Sequence, residues 1–207
     1  MWVRGAAIRP VPRYALVDAC TLADIERELA DESPRARQDL DGAFARFESS
    51  QPQLADAVSQ VLSRPLDETA LALGYFLSIA VFLAFERSFG AARLREVSSD
   101  ALAATEAAIH LEEELRASHG DEPLDLDDVV SVEQPNILAF VHEHVDAALE
   151  PASTEGAQGE ETSSEPREVD VDDVHRVYRV VVLVTLCLSH AVIPVDGAVR
   201  GRDELMA

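Results

Sequence analysis

The chain has 207 residues, 47% of them apolar, and carries 39 acidic against 17 basic residues, a formal net charge of −22. That size and apolar content suffice for a buried core without disulfide or metal support and exclude wholesale disorder. All 17 basic residues are arginine, so Schiff-base and P-loop lysine chemistry is excluded, and the acidic excess disfavours nucleic acid and anionic membranes while attracting a basic protein partner.

Residues 1–20 read as an irregular or short extended lead-in, with Pro10 and Pro12 among its arginines and no uninterrupted apolar run of the secretory type. Thr21 is placed to cap a helix to about Ala30. Ser33-Pro34 opens the next, with a cap residue followed by proline at the first helical position, and Leu40, Phe44 and Phe47 form its apolar stripe. Ser50-Gln51-Pro52 opens a third, with Leu54, Val58, Val61 and Leu62 on one face before Arg64-Pro65. Asp67 caps a long apolar helix through Phe89 that stops at Gly90. Ser98 or Ser99 caps a further helix reaching His119-Gly120.

The second half repeats the first. Gln134-Pro135 laid on Gln51-Pro52 brings Ile137, Val141, His144 and Val145 onto Leu54, Val58, Val61 and Leu62 without a gap. Val171-Asp172-Asp173 then falls on Leu66-Asp67-Glu68. Val180, Val181, Val184 and Leu188 fall on Tyr75, Phe76, Ile79 and Leu83. The residues in excess, about 150–170, are rich in Glu, Ser, Gly and Pro and read as a disordered acidic insert.

Read alone, Val180–Thr185 resembles a buried strand. Its counterpart around Tyr75–Phe85 is too long for one, which makes both segments helices. The expected fold is all-α: a single helical domain over 21–207. It is a bundle of two tandem related units, about 34–90 and 99–195, around two long apolar central helices related by a pseudo-twofold. The uncharged stretches Ala70–Phe85 and Val180–Val195 fall short of the roughly 20 residues of a spanning helix, so no membrane is expected. Phe82, Phe85 and Phe89 suit either a core or a homodimer contact.

Candidate metal ligands are few. Glu106, His110 and Glu113 share one helix face at i, i+4 and i+7, with Glu114 also within reach of His110. His142 and His144 are two apart and point about 200° from each other on a helix. The carboxylate-bridged di-iron pattern Glu-x-x-His and the zinc pattern HExxH are both absent from the sequence. Cys20 precedes a helix start and Cys187 sits in an apolar run. His175 and His190 have no visible partner in sequence. Arg176 and Arg179 replace Leu71 and Gly74 of the first unit, which suggests solvent exposure and ion pairing, with an anion site as the lesser reading.

Nucleophile and phosphate-cradling motifs are missing. With only Cys20 and Cys187, far apart, the expectation is a reducing compartment, the bacterial cytoplasm. The functional expectation is a non-enzymatic acidic interaction protein (an adaptor, regulator or immunity-type protein) with a basic partner, no catalytic residue and no cofactor. The alternative is a metal-binding, perhaps enzymatic, bundle using Glu106, His110, Glu113, His142 and His144.

Overall fold

Polar caps and prolines set the helix starts. In a computed structural model the chain is described over residues 7–31, 33–117, 133–150 and 169–195. The helices are α1 (Ala19–Leu29), α2 (Pro34–Ser50), α3 (Pro52–Leu62), α4 (Glu68–Phe89), α5 (Ser99–Ala117), α6 (Pro135–Leu149) and α7 (Val171–Ala191). Short 3-10 turns lie at Arg13–Ala15 and Ala91–Arg93. The protein is all-α. Among the described residues the only bridge is an isolated antiparallel one between Leu94 and Val192.

Ser33 caps α2 as expected, its Oγ accepting from Ala36 N at 3.2 Å, and Asp67 caps α4, its Oδ1 accepting from Thr69 N at 2.7 Å and Ala70 N at 3.2 Å. Gly90, at φ 76°, ends α4 in a backbone conformation that side chains resist. Three starts differ from the sequence reading. Asp18, not Thr21, occupies the α1 cap position. Asp170 caps α7, so Val171-Asp172-Asp173 forms its first turn instead of its cap. α2 runs through Ser50, which leaves Gln51 as the α2–α3 junction with no side-chain cap bond. The reading of α5 out to His119-Gly120 passes beyond the described residues at 118, and most of the acidic insert, 151–168, lies outside them too.

α4 and α7 form the centre. Their N-termini meet: Asp67 N donates to Asp173 Oδ2 at 2.9 Å, and Asp170 N donates to Asp67 Oδ2 at 3.3 Å. Just past their C-termini, Arg95 N donates to Ala191 O at 3.1 Å and Ile193 N to Arg93 O at 2.7 Å. Joined at both ends, the two helices run side by side in the same direction. They touch closely at Gly74, where an added Cβ would lie 2.4 Å from Leu62 Cδ2 and 3.2 Å from Val177 Cγ2. The run Val180–Leu188 is buried throughout as helix. Burial on every side outweighs the strand preference of its β-branched residues.

The outer helices pack around this pair. α1 lies on α4 and α6, and α5 lies on α7 and α3; α2 covers α3 and α4. Phe82 and Phe85 are in the core, Phe82 against Phe47 with ring centroids 5.0 Å apart and Phe85 against Phe89 at 5.8 Å. At 22 and 21 residues, α4 and α7 are long and apolar enough to cross a membrane, longer than their uncharged stretches alone. The extra length comes from polar end turns. Of their most apolar windows 67% and 78% is buried within the protein, so the greasy faces already have protein neighbours.

Candidate functional site

Two buried glutamines hold the halves together. Gln51 and Gln134 share a backbone conformation (φ −136°, ψ 57° and φ −137°, ψ 69°), each precedes a proline, and each has no exposed surface. Gln51 Nε2 donates to Arg95 O at 2.9 Å, and its Oε1 accepts from Val97 N at 2.9 Å. Gln134 Nε2 donates to Ala15 O at 2.7 Å, and its Oε1 accepts from Val17 N at 3.3 Å. Each glutamine therefore clasps the extended segment that leads into the first helix of the other half. An amide suits this task because it offers a donor and an acceptor without charge, which burial would penalise. Gln134 Nε2 also donates to Ser189 Oγ at 2.9 Å.

The lead-in is thereby part of the core. Ile8, Val11, Ala15 and Val17 are buried. Ala7 N donates to Glu112 Oε2 at 2.7 Å, Val11 N to Glu133 Oε2, and Asn136 Nδ2 to Val17 O at 2.8 Å. Sequence reading missed these partners because they lie more than 100 positions apart. The one available signal was the shared Gln-Pro junction.

A surface hollow of about 300 Å³ lies between α3, α5 and α7. Val61, Leu102, Ile109, Val180 and Leu183 form its floor, and Gln53, Asp56, Gln60, Arg64, Glu106, Arg176 and Arg179 its rim. Arg179 Nη2 is 3.1 Å from Glu113 Oε2, and Arg176 bonds Asp173. Asp173 is buried yet well satisfied, since it also accepts from Asp67 N. Aromatic rings occupy the corner between α1, α4 and α6. There Phe76, Phe140 and His144 cluster with ring centroids 4.3–6.0 Å apart. His144 Nε2 lies 3.5 Å from Glu26 Oε1, and its Nδ1 pairs with Phe140 O at 2.9 Å.

The five candidate ligands are therefore dispersed. Glu106 stands on the groove rim. His110 lies on the exposed face of α5, 3.2 Å from Glu114 and 3.9 Å from Glu113, and Glu113 is engaged by Arg179. His142 stacks on Tyr178, its Nε2 3.2 Å from the hydroxyl, while His144 turns to Phe76 and Glu26. The divergence expected from their i, i+2 spacing is what separates them. Among the described residues no three His, Cys, Asp or Glu side chains stand close enough to share a metal ion.

A smaller hollow of about 250 Å³ lies over Cys187, His190 and Thr105. Burial pushes the Cys187 thiol up to about 11, with Glu106 adding to the rise and a Thr105 hydrogen bond opposing it. The thiol is protonated at neutral pH and is a poor nucleophile. Burial, and next the nearby Arg9 guanidinium, pushes His190 below its ordinary value. Cys20 is exposed in the first turn of α1. His175 is exposed near the start of α7.

No family model, curated protein or solved structure matches the chain.

Proposed function

We propose that the protein is a non-enzymatic interaction module: an acidic helical scaffold, of adaptor, regulator or immunity type, that receives a basic protein partner. The disposition of charge carries this reading. Arg27, Arg35, Arg46, Arg87, Arg176 and Arg179 are each tied to a carboxylate of their own chain. Six of the 17 arginines are thus neutralised by carboxylates of the chain itself, which leaves the net charge of −22 in place. Beyond those pairs, Asp18, Asp31, Asp41 and Glu48 on and beside α1 and α2 are exposed. Such a field steers a cationic surface into contact and repels polyanions.

We further infer that the scaffold is a tandem duplication with a pseudo-twofold along the central helices. Its support is the pair of Gln-Pro junctions with matching backbone angles, the matching aspartate caps Asp67 and Asp170, and the exchanged clasps. The proposed setting is the cytoplasm of a bacterium, where the unpaired Cys20 and Cys187 stay reduced.

The test is affinity capture from the native host at about 0.1 M and about 1 M salt, across which the screening length falls from roughly 10 to roughly 3 Å. A stoichiometric partner with a basic surface, held at low salt and released at high salt, is the expected result. No stable partner at low salt, or one bound independently of salt, overturns the reading.

A further inference from the structure

The last turns of α7 carry two donor atoms that the fold does not use. Cys187 and His190 are three residues apart in α7, so they share one helix face with Cβ atoms about 5–6 Å apart. Both line the hollow of about 250 Å³, with Thr105 of α5 and the segment Arg95–Ser98 as its other walls. The Cys187 side chain is buried. The imidazole of His190 is half engaged. The Arg9 backbone bonds the ring in the manner that favours its protonated form, which requires a carbonyl accepting a ring N–H. Nδ1 is buried and has no hydrogen-bond partner, so the bond to Arg9 belongs to Nε2, and the ring proton lies there. Nδ1 is left as a bare lone pair, shielded from water, on the same helix face as the thiol. A buried acceptor without a donor is costly, and a ligand that takes up its lone pair removes that cost.

We propose that Cys187 and His190 form a two-coordinate site for a soft monovalent cation of the Cu(I) class, bound through Cys187 Sγ and His190 Nδ1. The number of ligands selects the metal. Among the described residues no group of three His, Cys, Asp or Glu side chains can share an ion, so the three or four protein ligands of a zinc site are lacking, whereas Cu(I) accepts one thiolate and one imidazole. Charge selects it again. A thiolate with a monovalent cation is a neutral unit, which burial tolerates. A dication leaves a net positive charge there, and the nearby Arg9 guanidinium penalises it further. The Arg9 carbonyl on Nε2–H supplies the outer contact that fixes the tautomer and orientation of a metal-ligating histidine. Glu96 and Ser98, both exposed, stand at the rim of the hollow and give a cation a polar way in. On binding, the thiol proton passes to solvent as the sulfur–metal and nitrogen–metal bonds form, and no electron is transferred.

The test is an anaerobic titration of the full-length Cys20→Ser protein, which lacks the exposed thiol, with Cu(I) supplied from a chromogenic chelator. One Cu(I) per chain is expected, with a thiolate-to-copper absorption band and an X-ray absorption spectrum showing one sulfur and one nitrogen ligand. Adding Cys187→Ser is expected to abolish the band, and adding His190→Gln to weaken binding at least about tenfold. A second measurement needs no change in the core. With methyl-labelled Cys20→Ser protein, Ag(I) is expected to shift the methyls of Val97, Ala101 and Ala191 around the hollow and to leave those of Leu54 and Leu62 in α3 unmoved. Zn(II) at the same concentration is expected to move none of them. Absence of Cu(I) binding to the Cys20→Ser protein, binding that survives Cys187→Ser, coordination by sulfur alone, or Ag(I) shifts away from the hollow overturns the proposal.

Discussion

The half before Gly90 and the half after it use the same devices with different backing. Both place a buried glutamine ahead of a proline, and both use it to hold the backbone of the other half. Gln134 makes three bonds, including one to Ser189, whose Oγ in turn donates to Thr185 O at 2.7 Å. Gln51 makes two, both to backbone. The central helices differ in the same sense. Thr185 in α7 donates to Val181 O at 2.8 Å, while Ser78 in α4 is buried with no hydrogen-bond partner among the described residues. The outer corners reverse the pattern, one filled by aromatic rings and the other open. The two junctions thus share a backbone conformation, while the side chains around each decide how many bonds it makes.

The largest expected effect separates the clasps. Gln134→Ala strands Ala15 O and Val17 N, also removes a bond to Ser189 Oγ, and is expected to cost about 3–4 kcal/mol in denaturant unfolding, against about 2–3 kcal/mol for Gln51→Ala. Equal costs, or costs below about 1 kcal/mol, would break the comparison. The corners come next. Phe140→Ala opens the filled corner and is expected to lower stability by about 3 kcal/mol. Ala57→Phe in the open corner is expected to change it by less than about 1 kcal/mol, because its ring has room. A large loss from Ala57→Phe would show that the groove is not available space.

Cys187 sharpens the account through pH. Its folded value, about 11 against an ordinary 9.0, means that the unfolded chain releases its proton first. Stability present below pH 9 therefore declines as pH rises toward 11, by about 2 kcal/mol. Cys187→Ala should flatten that decline in melts taken across the range. His190 acts at the other end: its depressed value means stability is lost as pH falls below 6.5, because only the unfolded chain takes up the proton readily. The smallest effect belongs to Ser78→Ala, expected to raise stability by about 1 kcal/mol by removing an unsatisfied buried hydroxyl; a loss instead would mean that the hydroxyl is bonded.

The helices were legible because caps and prolines act within a few residues. Ser33-Pro34, Asp67 and Gly90 each mark a boundary through local chemistry, and the apolar spacing of Leu54, Val58 and Leu62 marks a buried face. The Val180–Leu188 helix was legible only by comparison with α4, since its own composition favours a strand. What escaped was long-range. Nothing local announces that Gln51 and Gln134 reach backbone of the opposite half, or that Ile8 and Val11 are core. At the site, helix geometry alone separated His142 from His144 and placed Glu106, His110 and Glu113 on one face. It did not reveal that Arg179 engages Glu113, or that small residues at 57 and 61 leave a hollow beside Glu106.

The reciprocal clasps imply that neither half is complete by itself, and splitting the chain between Gly90 and Ala91 tests this most directly. Residues 1–90 and 91–207 are produced as separate chains, and their unfolding is followed by circular dichroism alone and after mixing. Each fragment alone is expected to lack a cooperative transition, and the mixture to regain native helicity as a one-to-one complex. Cooperative folding of either fragment alone, or failure of the pair to associate, would contradict the interlocked arrangement.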